Sequence, residues 1–137
     1  VVEDALTAVD AGGVHAMHDA TEGGIASGLQ EIAWASNVGL IAYEEKIPVS
    51  SETEVICRQL DIDPLKTIGS GALIISCESK SAKRIITALK KKRIKASIIG
   101  KVTNEKENAS IVRKNGTKLD LSKPVKEELW KALDQRL

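Results

Sequence analysis

The segment Met17-His18-Asp19-Ala20-Thr21-Glu22-Gly23-Gly24 gathers most of the chemistry-bearing side chains that this sequence places close together. It contains an imidazole, two carboxylates and a hydroxyl, followed by two glycines, and it joins a predicted strand to the start of a predicted helix. A helix start presents unpaired backbone N–H groups and the positive end of the dipole, and glycines let an anion such as phosphate approach the backbone closely. Two readings follow. In the first, the Gly23 and Gly24 amides and the Thr21 hydroxyl hold phosphate oxygens, while Asp19 holds a donor or reaches a metal-bound phosphate. In the second, the segment is an ordinary helix cap. His18 and Asp19 are the candidate catalytic groups, and Glu22 belongs to the same candidate binding loop. Gly69-Ser70-Gly71 is a turn entering an apolar run, or else Ser70 and Gly71 line a ligand site from a second direction.

Other chemistries fit less well. His15 and His18 are separated by an odd number of residues, so on a strand they point to opposite faces and cannot share a metal ion. No Gly-x-Ser-x-Gly elbow is present, and the spacing of Gly69-Ser70-Gly71 is wrong for one. Cys57 and Cys77 sit in apolar runs and form no Cys-x-x-Cys pair, as expected of buried free thiols in a reducing cytoplasm. The run Lys90 to Arg93, extended by Lys83, Arg84 and Lys95, has no interleaved aromatics, and the net charge is only +1. It reads as a solvated helix end, so neither nucleic acid nor an anionic membrane is expected as partner. No run is apolar enough to span a bilayer.

The elements that must position these residues follow from periodicity. Val2, Ala5, Leu6 and Val9 lie on one face of a helix over residues 1–11, stopped by Gly12-Gly13. Val14 to His18 alternates as a strand. Ile25, Leu29, Ile32, Ala33 and Ser36, broadened by Ala26, form the stripe of a second helix running to about Asn37-Val38-Gly39. Leu40 to Tyr43 is a strand, and Ser51 with Glu54 forms a capping box for a short helix with Val55, Ile56 and Leu60 inward. The continuous apolar run Ala72 to Cys77 predicts a central strand covered on both faces. Ser81 is expected to cap a helix burying Ala82, Ile85, Ile86 and Leu89. Ile94 to Val102 alternates as another strand, Asn115-Gly116 predicts a tight primed hairpin, and Pro124 suits the first turn of a last helix with Val125, Leu129, Ala132 and Leu133 inward. The 42% hydrophobic content, with no Phe, one Tyr and two Trp, requires an aliphatic core. Together these predict one layered α/β (α+β) domain, a mixed sheet covered by helices. Because the chain opens without Met and with a helical pattern already under way, it reads as a fragment of a longer polypeptide.

Met17 to Ala26, then Leu29-Gln30-Glu31-Ile32-Ala33 and Ala35 to Gly39, resemble the aminoimidazole ribonucleotide (AIR) synthase superfamily. The branch they resemble is the hydrogenase expression/formation (maturation) proteins of the E type and their archaeal AIR-synthase-related relatives. The likeness continues through Glu45 to Pro48, Gly69-Ser70-Gly71 and Glu128-Leu129-Trp130, and it covers the carboxy-terminal domain only. It implies that residues 1–137 form an AIR-synthase-related carboxy-terminal domain, partly ferredoxin-like, normally preceded by an amino-terminal domain that dimerises and supplies acidic Mg–ATP ligands. It further implies ATP and Mg as cofactors, phosphorylation of an amide-type oxygen, a cytoplasmic homodimeric parent, and a maturation partner protein. Asp19, Thr21, Glu22, Gly23, Gly24, Ser70 and Gly71 would face the nucleotide cleft, and the isolated fragment would be inactive. Two features depart from the family pattern: the sequence ends Gln135-Arg136-Leu137 rather than in Cys, and Glu22 and Ser70 replace the usual Arg and acidic residue. The expectation is therefore a related ATP-dependent reaction on another substrate. The alternative is a non-catalytic anion-binding or protein-assembly module.

Overall fold

A computed structural model describes residues 1–106 and 108–134. The elements are α1 (Val2–Ala11), β1 (Val14–Ala20), α2 (Gly24–Ser36), β2 (Gly39–Tyr43), α3 (Ser51–Leu60), β3 (Ala72–Cys77), α4 (Ala82–Lys91), β4 (Gly100–Thr103), β5 (Ala109–Val112), β6 (Lys118–Asp120) and α5 (Leu129–Asp134). Their order and the layered α/β class match the expectation. The strands divide into two sheets, however: an antiparallel ribbon β1–β3, and a mixed sheet ordered β4-β2-β5-β6 in which β2 and β5 run parallel.

Helix α2 lies between the two sheets, touching β1 and β3 on one side and β2 and β5 on the other. This is why Ala26, Leu29, Ile32 and Ala33 are all buried, together with Gly24, Gly28 and Gln30. The main core joins these residues to Leu40, Ala42, Ile74 and Ile111. Ala8, Ile85 and Leu89 form a second cluster on the far face of the ribbon, with Ile75 and Cys77 packed against it. Strand β3 is thus covered on both faces as predicted but is not central, because its ladder partner is β1 alone. A continuous apolar run reports two covered faces and carries no information about neighbours along the ladder.

Several local expectations change. Residues 94–99 are not strand: Arg93 takes a left-handed φ of 61°, and the Ile94 amide returns to Leu89 O, turning Ile94 into the second cluster. The cap of α3 is Ser50, whose Oγ accepts from the Thr53 amide at 3.2 Å, one residue earlier than the expected box. Ser81 stands at the N-cap of α4 as expected, but its side chain makes no cap bond; its buried hydroxyl donates to Glu78 and accepts from Arg84. The hairpin is the longer form with a glycine bulge, since Arg113 O accepts from the Gly116 amide, Gly116 has φ 83° and Asn115 keeps a negative φ. Pro124 lies before α5 rather than in its first turn, although Val125, Leu129 and Ala132 do pack inward. Val2, Leu6, Val9, Val55, Ile56 and Leu133 are exposed, as is Ser36, so the predicted inner faces of α1 and α3 are largely uncovered here. The end Gln135-Arg136-Leu137 lies outside the described residues.

Candidate functional site

The two glycine-bearing segments meet. Strand β1 ends at Ala20 directly opposite Ala72, where β3 begins, so the loop after one strand and the loop before the other share one end of the ribbon. Thr21 O ties them together by accepting from the Gly24 amide at 3.0 Å and from the Gly69 amide at 3.1 Å. A Cβ on Gly69 would stand 3.0 Å from Ala20 O and 3.6 Å from Gly24 Cα. The exposed crown of this junction comprises Asp19, Thr21, Glu22, Ile68, Ser70 and Gly71, none of them a cation.

Beneath the crown the glycines serve the fold. Gly23 and Gly24 have φ of 70° and 60°, and a Cβ on Gly24 would stand 2.4 Å from Thr67 O and 2.8 Å from Leu65 O. The left-handed turn and the close passage of the 65–67 backbone both require glycine. Nor are the amides bare. Gly23 N–H donates to the Glu127 carboxylate at 2.7 Å, Gly24 N–H to Thr21 O, and Ala26 N–H to Leu65 O at 2.9 Å. Glu127, 104 residues along the chain, occupies the place expected for an anion, so the phosphate-holding role of the Gly23 and Gly24 amides is not carried forward. The simple cap is corrected too: the N-cap is Gly23 and no side chain of the loop caps α2.

His18 is half-buried and fully engaged. Its Nδ1 donates to Asp19 O at 2.9 Å, and its Nε2 bonds Glu31 Oε2, whose other oxygen accepts from the Ser27 hydroxyl at 3.1 Å. Both ring nitrogens thus face oxygen acceptors, which fixes the ring beside the loop. The strand register shifts at His15, so simple alternation does not hold between His15 and His18. Asp19 and Glu22 extend exposed side chains that make no hydrogen bond or ion pair among the described residues.

Two further parts escaped sequence reasoning. Gln30 is buried on α2, where its amide donates to Leu121 O and Lys123 O and accepts from the Val125 amide. It clips the segment 121–125 along α2 and so delivers Glu127 to Gly23. Glu128 continues the strap, accepting from the Asp63 amide at 2.7 Å and pairing with Lys66 at 3.3 Å, while Arg113 holds Asp63 from the hairpin. A lone Gln between buried Leu29 and Ile32 was the available signal for the clip. For Glu127 no local signal exists.

The family described as AIR synthase related protein, C-terminal domain, matches residues 1–113. The chain belongs to that family. A putative hydrogenase expression/formation protein of Methanocaldococcus jannaschii is 36% identical over 100 residues, covering 72% of this chain and 30% of that protein. The carbamoyl dehydratase HypE of Escherichia coli is 31% identical over 122 residues, covering 88% of this chain and 36% of HypE. A crystal structure of E. coli HypE superposes with a TM-score of 0.79 at 29% identity, over 95% of this chain and 41% of that one. HypE has also been solved with ATP (TM-score 0.73, 25% identity, 85% of this chain and 38% of that one) and with HypF (0.77, 29%, 89% and 41%). The chain spans about a third of the length of the curated relatives it matches. No helix among the described residues is long and apolar enough to cross a membrane.

Proposed function

We propose that this chain is the carboxy-terminal domain of an ATP-dependent, HypE-like protein, and that the joined loops 19–24 and 69–71 form one wall of its nucleotide and substrate cleft. The observation that carries the reading is the meeting of these loops, with their polar side chains outward, in a domain whose relative HypE has been solved with ATP. The rest of the cleft, and the dimer of a cytoplasmic parent, would come from an amino-terminal domain, so the 137 residues alone should turn over no ATP.

The donor set fits a magnesium–nucleotide better than bare phosphate. The crown offers the carboxylates of Asp19 and Glu22 to a hydrated divalent cation and the hydroxyls of Thr21 and Ser70 to phosphate oxygens, but no cation of its own. Gly71, around which an added Cβ would meet nothing within 4 Å, leaves room for the ligand beside Ser70. Bound Mg–ATP would supply a phosphoryl group that converts an amide-type oxygen into a leaving group. His18, bonded to the Asp19 backbone oxygen and to Glu31, would fix the backbone from which the Asp19 carboxylate extends. A partner protein in maturation fits the same reading, since HypE has been solved with HypF.

Titration calorimetry of the full-length parent with Mg–ATP tests this. Thr21→Glu and Ser70→Glu place a new anion at the crown without disturbing the backbone bonds of Thr21, and each should weaken ATP at least about tenfold. Unchanged affinity in both variants would remove the loops from the nucleotide cleft. A second reading, a non-catalytic assembly module, is favoured by one observation: Glu127 already fills the Gly23 amide. That reading predicts no ATP binding by the unmodified parent.

A further inference from the structure

The chain's near-neutral charge hides a strong segregation. Residues 79–104 carry nine Lys and Arg and no Asp or Glu, leaving eleven Lys and Arg against nineteen acids in the remainder. Much of this cation excess stands free. Lys80 pairs with Glu78 and Lys92 with Glu3, and Arg84 is spent on backbone oxygens of Ala11 and Gly12. Among the described residues Lys83, Lys90 and Lys95 form no ion pair, and Lys95 acts only weakly on the exposed Glu52. Unneutralised charge of one sign at this density is self-repelling, and a complementary surface would relieve it.

The same face is not simply a solvated helix end. Between α4 and the irregular segment 94–99 runs an open groove of about 400 Å³ lined by Lys83, Ile86, Thr87, Ser97 and Ile98. Ile98 is half exposed. Ser97 donates to Lys46 O at 2.7 Å, which fastens the outer wall to the loop after β2. Lys90 lies one turn beyond Ile86 and Thr87 on the same side of α4. The groove therefore has an aliphatic floor and a lysine rim. We propose that this groove docks an acidic segment of a partner protein, with an aliphatic side chain seated on Ile86 and Ile98 and carboxylates reaching Lys83 and Lys90.

Both halves of the observation select that occupant. An isoleucine floor gives a base no aromatic face to stack on, which disfavours nucleic acid even though its charge would suit the rim. An acidic segment without an apolar anchor would leave Ile98 in water. A rim of lysines around an apolar centre is the arrangement in which charge guides encounter and the buried contact holds the complex.

The test uses the full-length parent and three fluorescent probes: a 20-residue acidic peptide with leucines at helical spacing, a scrambled peptide of the same composition, and a single-stranded oligonucleotide of equal charge. Anisotropy at 50 and 300 mM salt should show the patterned peptide binding at least about fivefold more tightly than the other two, with affinity falling as salt screens the rim. The double variant Lys83→Glu/Lys90→Glu should weaken it at least about tenfold, and Ile98→Ser, at a half-exposed position, about threefold or more. Circular dichroism of both variants confirms that they fold. Equal binding of the oligonucleotide with no effect of Ile98→Ser would reduce the face to a general polyanion surface and overturn the proposal. So would absence of peptide binding, or self-association abolished by the lysine reversals, which would make a second copy of the chain the occupant.

Discussion

Gly24 and Gly71 sit at the ends of the two loops that meet on the ribbon, and both adopt positive φ, yet their surroundings are opposite. Around Gly24 an added Cβ meets the backbone oxygens of Thr67 and Leu65 at 2.4 and 2.8 Å; around Gly71 it meets nothing within 4 Å. One glycine closes a seam and the other leaves an edge open. A glycine-rich helix start in sequence is therefore not by itself a ligand cradle, because the same residue satisfies close packing and close approach of a ligand equally well.

The largest effect should be the contrast between these two positions. Gly24→Ala combines a left-handed φ with a collision against the 65–67 backbone, and we expect a loss of about 4 kcal/mol or more, a large part of the roughly 5–15 kcal/mol that holds a domain of this size. Gly71→Ala carries the φ cost alone, about 1–2 kcal/mol, and should remain folded. Urea melts of both variants decide it; comparable losses would mean that the seam at Gly24 is not as tight as described.

Next in size is Gln30. Replacing it with Leu removes three hydrogen bonds and strands Leu121 O, Lys123 O and the Val125 amide beside the core. The expected cost is about 2–4 kcal/mol, with hydrogen-exchange protection lost first along 121–128. If protection instead falls evenly over the domain, the strap is not held by this clip. Glu127→Gln keeps the shape and drops the charge on the Gly23 amide, and should cost about 1 kcal/mol. Should it cost nothing, the sealed state of α2 does not depend on that carboxylate.

These expectations also mark what was readable beforehand. The order of all eleven elements was legible because period and punctuation agree: the stripe of α2, the apolar run of β3 and Asn115-Gly116 each have local signatures. The division into two sheets was not, because ladder neighbours are chosen by α2 wedging between Ile74 and Ile111, contacts distant in sequence. The loop at 19–24 was legible as a place; Gly69-Ser70-Gly71 was legible as a turn entering a buried strand or as a second side of a ligand site, but its backbone bond to Thr21 O had no local signal. The electrostatics at 19–24 were not legible, because the group that fills the Gly23 amide arrives from residue 127 through a buried glutamine. Alternation misled over 94–102 for a related reason: Ile94 and Ile99 are drawn into different clusters, which a single pleat could not serve.

The smallest expected effect uses the cysteines to report on the strap. Cys57 packs with Ala132 of α5, just beyond Glu128, whereas Cys77 lies on the ribbon. Burial pushes both thiols above their ordinary range, with Asp63 and Glu128 adding to the shift at Cys57 and Glu78 at Cys77. The sign follows directly. As pH rises through the ordinary thiol range, near about 8.5, the unfolded chain ionises first while the folded one keeps its protons. The stabilisation is whole below that range and is lost as pH climbs through the raised folded values, so urea midpoints should decline slightly between pH 8 and 10. At pH 8 both thiols should react with a disulfide reagent more slowly than a free cysteine. In Gln30→Leu the loosened strap should release Cys57 toward ordinary reactivity while Cys77 stays slow; equal acceleration of both would mean that the variant opens the whole domain and not the seam at α2 alone.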